Sequence, residues 1–261
     1  MPKITELYRH PVKSFTPERV DELRFVGGKV QGDRVLGFRF ADQGAPDDWG
    51  WRRKINFVGL VNSPAIALLD LSFNDQTRIL TLNYEGEMFA EGSIDSEEDR
   101  FDLSEAVGEY VTSLDINPLV GHPERVPLNL IGDGRQGLFH DFEVGGVSLY
   151  GKESLKAFES HMGTEIDGRR FRTNIVIDDI DAWDELAWTG RVSIGGSNFK
   201  ADRTVPRCLV THANPVNGER DHEIMKGLIA ANGMDTPTFS ILLNPLDDDS
   251  VIRVGDSVTV G

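Results

Sequence analysis

The chain has little cysteine, no long apolar run and no excess of positive charge. Its 261 residues include one cysteine, Cys208. A single thiol excludes an internal disulfide, and it excludes a self-contained iron–sulfur cluster or a four-cysteine zinc site, which need about four thiolates. If the protein carries out redox chemistry, its electrons therefore come from elsewhere.

Apolar segments are too short to suggest a membrane protein. No apolar run approaches the ~18–20 residues that a membrane helix needs. The N-terminal sequence MPKITELYRHPVKS has no apolar stretch of the kind that signal peptides contain, and it lacks the Arg/Ser-rich pattern of transit peptides. We therefore expect a cytoplasmic protein.

Acidic residues outnumber basic ones, and the formal net charge is −16 at pH 7. Such a surface repels phosphate backbones and anionic lipids, so we expect neither nucleic acid nor a membrane as a partner. A cluster of arginines is informative here because it stands against the general trend.

Alternating and short apolar runs predict a mainly β protein with a few helices. Strands are expected within residues 3–9, 19–26, 34–42, 56–73, 78–86, 87–94, 125–133, 142–151, 171–179, 191–202 and 207–213, with two more near the C-terminus. The period changes to a helical one in residues 101–115, 153–163 and 221–233. Asp102 and Asp221 are the expected N-caps of the first and third helix, and Gly163 and Gly233 the expected C-caps of the second and third.

A β-rich chain with few helices favours a barrel or a sandwich over a doubly wound sheet. The segment NPLVGHPER at 117–125 is a reasonable linker. We therefore predict two domains, residues 1–118 and 119–261. The sequence GDGRQG at 132–137 matches G-x-G-x-x-G, but no helix is expected after it, so we interpret it as a loop rather than a dinucleotide site.

The segment GRRFRTN at 168–174 places three arginines within four residues before an apolar run. Forked guanidinium groups suit phosphate or planar polar heterocycles, although surface ion pairs with the many carboxylates are an alternative. HPVKS at 10–14 and GDR at 32–34 each place one basic residue beside small turn residues, and WRRK at 51–54 places three more. Together these segments suggest one electropositive pocket assembled from distant parts of the chain.

Cys208 lies between Arg207 and Thr211, and His212 follows four residues after it. A lone cysteine on a strand is commonly a small buried apolar residue. On a strand, positions four apart share a face, so Cys208 and His212 could also form a nucleophilic pair of the hydrolase type. Adjacent cations instead favour a thiolate, which suits a soft, redox-active metal, and a cofactor would then supply most of the metal's ligands.

Two segments, RRFRTNIVIDDIDAWDELAW and VPRCLVTHANPVNGERD, resemble the signature of the MOSC domain, found in molybdenum cofactor sulfurases and in amidoxime-reducing components. HPVKS, GDR and WRRK resemble the N-terminal β-barrel domain that accompanies it. The resemblance implies a β-barrel-like MOSC domain preceded by a β-rich domain, with molybdenum bound to molybdopterin.

The resemblance also implies roles for individual residues. Cys208 is expected to be the molybdenum ligand and the catalytic residue, within an R-C-x-x-T context. Asp141 matches an aspartate of the family. The expected cofactor-binding residues are Lys13, Arg34, Ser154, Arg172, Asn174, Arg207 and Thr211.

The activity that the resemblance implies is the reduction of N-hydroxylated small molecules by a molybdenum-dependent oxidoreductase. With no cysteines for a cluster, the chain would receive electrons from a separate electron-transfer protein or reductase. The alternative is a molybdenum cofactor carrier or sulfur-transfer module without reductase turnover, which a persulfide on Cys208 would mark.

Overall fold

Strands dominate the computed structural model, which describes residues 1–141 and 145–261. The mainly β class predicted from the sequence is confirmed. Within the described residues the strands are β1 (Lys3–Arg9), β2 (Glu18–Val20), β3 (Glu22–Val26), β4 (Lys29–Val30), β5 (Gly37–Arg39), β6 (Leu69–Phe73), β7 (Ile79–Tyr84), β8 (Glu87–Ser93), β9 (Asn129–Ile131), β10 (Val147–Gly151), β11 (Ile175–Asp178), β12 (Gly190–Ile194), β13 (Ser197–Pro206), β14 (Thr238–Pro245), β15 (Ser250–Arg253) and β16 (Val258–Val260).

The α-helices of the described chain are α1 (Glu97–Thr112), α2 (Lys152–Met162) and α3 (Ile224–Asn232). Helix α2 ends at Gly163, whose φ of 68° lies in the left-handed region, as predicted. Helix α1 begins earlier than predicted: Ser96, not Asp102, is its N-cap, and the Ser96 side chain accepts a hydrogen bond from the Asp99 backbone N–H. Helix α3, by contrast, begins later than predicted. Asp221 does not cap this helix and forms an ion pair with Arg170 instead.

Short 3-10 helices span Ala41–Gln43, Lys54–Asn56, Pro64–Leu68, Pro123–Arg125, Gly168–Phe171, Asp184–Ala187 and Leu209–His212. Two of them, Pro64–Leu68 and Leu209–His212, lie within stretches that were predicted as strands. The strand predicted at 207–213 is therefore wrong, and the one predicted at 171–179 begins at Ile175. The strand predicted at 142–151 is present as β10 from Val147, while its first residues, 142–144, lie outside the described part of the chain.

The largest sheet has eight strands in the order β16-β12-β13-β14-β10-β11-β1-β2. Neighbours in it are antiparallel except β10 and β11, which run parallel. The expected barrel is not formed, since the sheet is not closed. On the side away from β11, β1 pairs with β2 and makes a single bridge from Lys3 to Ser257. In the described residues no continuous ladder therefore joins β1 to β16.

Strands from the two ends of the chain pair with each other. β1 pairs with β11, and β3 pairs with β15 over four residues, from Glu22–Arg253 to Phe25–Ser250. The apolar side chains of these strands share one buried cluster with those of β10, β12 and β14, including Leu7, Phe25, Leu149, Ile175 and Leu243. The division of the chain at residues 118 and 119 stays a prediction.

These pairings position the turns that form the site. The segment after β1 runs beside the residues before β5, through the bridge of Val12 with Leu36. The turn before β11 and the turn after β13 meet through Arg207, whose guanidinium donates to the Phe171 carbonyl over 2.9 Å. Four segments that are distant in the sequence therefore converge where β11 begins and β13 ends.

Candidate functional site

A cavity of about 380 Å³ opens where these turns converge. Its volume lies in the range of small-ligand pockets, roughly 300–1,000 Å³. Most of the candidate site residues named from the sequence line it, and they are Lys13, Arg34, Arg172, Asn174, Arg207, Cys208 and Thr211. The basic segments at 10–14, 32–34 and 168–174 thus contribute to a single cavity, while a contact of any of these residues with a cofactor stays a prediction.

Ser154 is the exception, since it does not line this cavity. Its hydroxyl donates to Glu185 Oε2 over 2.8 Å and accepts a hydrogen bond from the backbone N–H of Trp183. Ser154 is fully buried in the first turn of α2. In this structure its hydroxyl is therefore used to attach α2 to the turn that contains Glu185.

Three residues of the cavity wall have backbone conformations that side chains other than glycine rarely adopt. The φ angles are 65° at Ser14, 54° at Arg34 and 50° at Arg172. Such conformations cost about 1–2 kcal/mol each and concentrate at functional sites. Arg34 and Arg172 also contact each other, because the Arg34 guanidinium donates to the Arg172 carbonyl over 3.2 Å.

Lys13 is almost completely buried, with 3% of its side chain exposed. Its ammonium donates to the Phe139 carbonyl over 2.7 Å and to Asp141 Oδ1 over 3.1 Å. Burial lowers the pKa of Lys13, and the Asp141 carboxylate opposes that shift. The ammonium is therefore held at the cavity wall by one carboxylate at the mouth.

Arg34 is oriented by Asp33, its neighbour in the chain. The Asp33 side chain is 1% exposed, and its Oδ2 accepts a hydrogen bond from the Arg34 guanidinium. Oδ1 accepts the backbone N–H of His10 over 2.7 Å. Because both oxygens of the Asp33 carboxylate accept hydrogen bonds, the carboxylate holds the Arg34 guanidinium in one orientation at the cavity wall.

Arg172 and Arg207 are charged groups without a carboxylate partner among the described residues. Arg172 donates to the Phe15 carbonyl, and Arg207 donates to the carbonyls of Phe239 and Phe171 and to the Ser240 hydroxyl. Burial lowers the pKa of both guanidinium groups to about 9, so both stay protonated at neutral pH. Partly buried cations that lack a carboxylate partner favour the binding of an anion beside them.

Cys208 is the partly buried N-cap of the turn Leu209–His212. The Thr211 hydroxyl and the Thr211 backbone N–H both donate to the Cys208 carbonyl over 3.0 Å. Thr211 therefore fixes the backbone from which the sulfur projects. The proposed pair with His212 is not formed: no hydrogen bond joins the two side chains in the described structure, and His212 Nε2 accepts the Met225 N–H over 3.4 Å.

Lys54 and His140 were not predicted as site residues from the sequence, yet both line the cavity. The Lys54 ammonium lies 3.0 Å from Cys208 Sγ and 3.8 Å from Asp141 Oδ2. Burial lowers the pKa of Lys54, but Asp141 and Cys208 outweigh this effect, so the pKa lies above its ordinary value. The basic segment at 51–54 was the available signal, and it could not show which of its three cations faces the cavity.

His140 lies beside Asp141 in the chain, and 9% of its side chain is exposed. Its Nε2 is buried without a hydrogen-bond partner among the described residues and lies 4.0 Å from Asp33 Oδ2. Burial lowers the pKa of His140 to about 4, and Arg34 adds to the shift. The imidazole is therefore neutral at pH 7.

The donor set fits an anionic cofactor that carries its own metal ligands. Buried guanidinium groups without carboxylate partners suit phosphate, and the one thiol suits a soft metal. No group of three or more His, Cys, Asp or Glu side chains in residues 1–141 and 145–261 is arranged to hold a metal ion. A metal bound at Cys208 would therefore take its other ligands from outside this set of side chains.

Among the residues that the structure describes, no helix is both long enough and apolar enough to cross a bilayer.

Comparison with known proteins gives one family. Residues 139–259, which include β10–β15, Arg172, Asn174 and Cys208, match the sequence model of the MOSC domain. No curated protein matches the chain.

Two solved structures are similar to it at low identity. The YuaD protein from Bacillus subtilis is 12% identical, with a TM-score of 0.41, over 99% of this chain and 94% of its own. YiiM from Geobacillus stearothermophilus is 15% identical, with a TM-score of 0.32, over 44% of this chain and 53% of its own. Residues 139–259 of the chain are thus similar to the MOSC domain family, which is associated with molybdenum cofactor binding.

Proposed function

We propose that the protein binds a molybdenum cofactor in the cavity, with Cys208 as the protein ligand of the metal, and reduces N-hydroxylated small molecules. The observation that carries this proposal is the position of Cys208 on the wall of a cavity that also contains Arg172 and Arg207. Neither arginine has a carboxylate partner among the described residues. A phosphate-bearing molybdenum cofactor accounts for both observations, because its phosphate brings negative charge to the arginines and its metal binds the thiol.

The residues divide the work of holding this cofactor. Arg34, Arg172 and Lys13 are the donors for its phosphate and for the polar edge of its pterin. Cys208 supplies the thiolate, and Thr211 holds its backbone in place. The side chains of Val205, Pro206 and Leu242 form an apolar part of the cavity wall.

When bound, a molybdenum cofactor supplies the two-electron chemistry that removes oxygen from a substrate. Reduction of an N-hydroxylated substrate consumes two electrons and two protons and releases water, so the site also needs a route for protons. The Lys54 ammonium lies 3.0 Å from the Cys208 sulfur, and Asp141 Oδ2 lies 3.8 Å from that ammonium. They are the residues best placed to hold a substrate's polar group there.

Electrons come from a separate electron-transfer protein or reductase in this proposal. The net charge of −16 supports docking of a partner with a basic surface and argues against nucleic acid and anionic membranes as partners. A cytoplasmic location belongs to the same proposal.

The decisive measurement is the molybdenum and pterin content of protein produced in a host that makes the cofactor. We expect near-stoichiometric metal in the wild type and little in Cys208→Ser. Equal unfolding midpoints of the two cofactor-free proteins would show that the variant is folded. Equal metal content in both proteins would mean that Cys208 is not the ligand.

Turnover is tested separately, with a small amidoxime as substrate and a chemical reductant as donor. Protein that contains molybdenum should reduce the amidoxime to the amidine, and Cys208→Ser should not. Molybdenum-loaded wild type without turnover would instead indicate a cofactor carrier or sulfur-transfer module.

A further inference from the structure

The ammonium of Lys54 is the polar group in contact with the sulfur of Cys208. Its Nζ donates to Sγ over 3.0 Å, across 154 positions of sequence. The same ammonium lies 3.8 Å from Asp141 Oδ2, and Asp141 in turn binds Lys13. Lys54 is therefore held from two sides, with one N–H directed at the thiol.

The segment that carries Lys54 is fixed by interactions other than its contact with Cys208. Buried Arg39 donates to the backbone carbonyls of Asp48 and Gly44, over 2.5 and 2.9 Å. The Trp51 indole N–H donates to the His140 carbonyl over 3.0 Å. The segment ends at Phe57, which is fully buried against Phe139. The backbone that carries Lys54 to Cys208 is thus held in place by contacts of its own.

An ammonium donates hydrogen bonds and accepts none, so it cannot replace Cys208 as a metal ligand. It can act on the metal through the sulfur, because a hydrogen bond to a thiolate withdraws electron density from it. In iron–sulfur sites such hydrogen bonds are among the factors that set reduction potentials, and groups around a ligand orient it toward its metal.

We propose that Lys54 is a positioning residue for Cys208, which orients the sulfur and limits its electron donation to the metal. The inference rests on the proposed function, since it requires a metal at Cys208. Lys54 stabilises the reduced metal in this view, and a variant without its N–H has a lower midpoint potential.

The test compares Lys54→Met, which removes the donor at similar length, with Lys54→Arg, which keeps a charged donor. Arg53→Met is the matched control, because it removes one positive charge from the exposed neighbouring position. Each protein is purified with its cofactor. Its molybdenum content is measured, and then the paramagnetic resonance spectrum of the half-reduced metal and its midpoint potential.

We expect all four proteins to contain molybdenum. Lys54→Met should show a changed spectrum and a lower midpoint potential, Lys54→Arg a smaller change, and Arg53→Met none. An unchanged spectrum and potential in metal-loaded Lys54→Met would overturn the inference while leaving the proposed function intact. Loss of molybdenum from Lys54→Met alone would also overturn it, because Lys54 would then hold the cofactor instead of modifying the sulfur. Absence of molybdenum from the wild type would overturn the proposed function, and this inference with it.

Discussion

The side-chain amide of Asn174 donates a hydrogen bond to the buried carboxylate of Asp33 over 3.3 Å. It also donates to the Tyr8 carbonyl over 3.1 Å, and its Oδ1 accepts from the backbone N–H and the hydroxyl of Ser148. Asn174 therefore ties β1 and β10 to the carboxylate that orients Arg34. Its polar atoms are engaged by the protein itself, so it shapes the cavity wall through Asp33.

Asn174→Ala should lower the free energy of unfolding by about 1–3 kcal/mol, because it removes buried hydrogen bonds and leaves Asp33 short of a donor. The measurement is urea unfolding of the cofactor-free protein. Asn217→Ala is the control: Asn217 is exposed and accepts one local hydrogen bond, from Glu219 N. Equal stability of Asn174→Ala and wild type would show that the network around Asp33 does not stabilise the fold.

Much of the local structure could be predicted from the sequence because the signals for it are local. Helix α2 has its apolar residues on one face and a glycine at the position that requires φ near 68°. The single strand predicted at 191–202 is in fact the hairpin of β12 and β13, although its turn at Gly195 and Gly196, both with positive φ, is also a local signal. The start of α1 was missed because its first turn, Glu97 to Asp99, is entirely polar and shows no apolar periodicity.

Local structure that depends on contacts between distant segments could not be predicted from the sequence pattern. Residues 207–213 alternate like a strand, but the Cys208 carbonyl is bonded to Thr211 and the segment turns. The convergence of the basic segments is the exception, since their charge stands out from the acidic background and suggested the common cavity that the structure contains. The position of Lys54 depends on the contacts of Arg39 with backbone carbonyls, for which the sequence carries no pattern.

Arg172→Gln tests whether the guanidinium serves a ligand or the fold. We expect pterin retention to fall by about 1–3 kcal/mol, or roughly 5- to 150-fold, because a charged hydrogen bond is lost. The cofactor-free variant should be as stable as wild type or more so, since a buried cation without a carboxylate partner in the described chain is removed. The two measurements are pterin content after dialysis and the urea unfolding midpoint.

Arg169→Gln is the control for Arg172→Gln, because the Arg169 guanidinium is paired with Asp167 at 2.6 Å. Pterin retention should be unchanged in that variant. Unchanged retention in Arg172→Gln as well would mean that the Arg172 guanidinium does not bind the cofactor.

Gly132 opens the GDGRQG segment, and packing explains the need for glycine there. Its φ is 106°, and an added Cβ would lie 2.1 Å from the Val35 carbonyl oxygen and 2.7 Å from the Phe139 ring. Gly132→Ala should lower the free energy of unfolding by about 2–4 kcal/mol, from backbone strain and overpacking together. Gly121→Ala isolates the strain, because Gly121 has φ of 81° and nothing within 4 Å of an added Cβ. Equal losses in thermal or urea unfolding would mean that the contact with Val35 is relieved at no cost.

The pH dependence of stability should carry a contribution from His140. Burial lowers its pKa from 6.5 to about 4, with Arg34, Lys29 and Lys13 adding to the shift and Asp33 opposing it. Between pH 6.5 and 4 the unfolded chain binds a proton on this residue and the folded protein does not. The free energy of unfolding therefore keeps this contribution in full above pH 6.5 and loses it as the pH falls toward 4, by about 3 kcal/mol.

His140→Gln should make the loss of stability between pH 6.5 and 4 shallower by that amount, as measured by urea unfolding at a series of pH values. Burial also lowers the pKa of His10, and Arg172 and Arg34 add more to that shift than His140 does, so most of the His10 contribution remains in both proteins. His122→Gln controls for the loss of an exposed imidazole. Identical pH profiles for wild type and His140→Gln would mean that the imidazole is protonated in the folded protein at the same pH as in the unfolded chain. In that case Asp33, 4.0 Å from Nε2, would balance the effect of burial and of the surrounding cations.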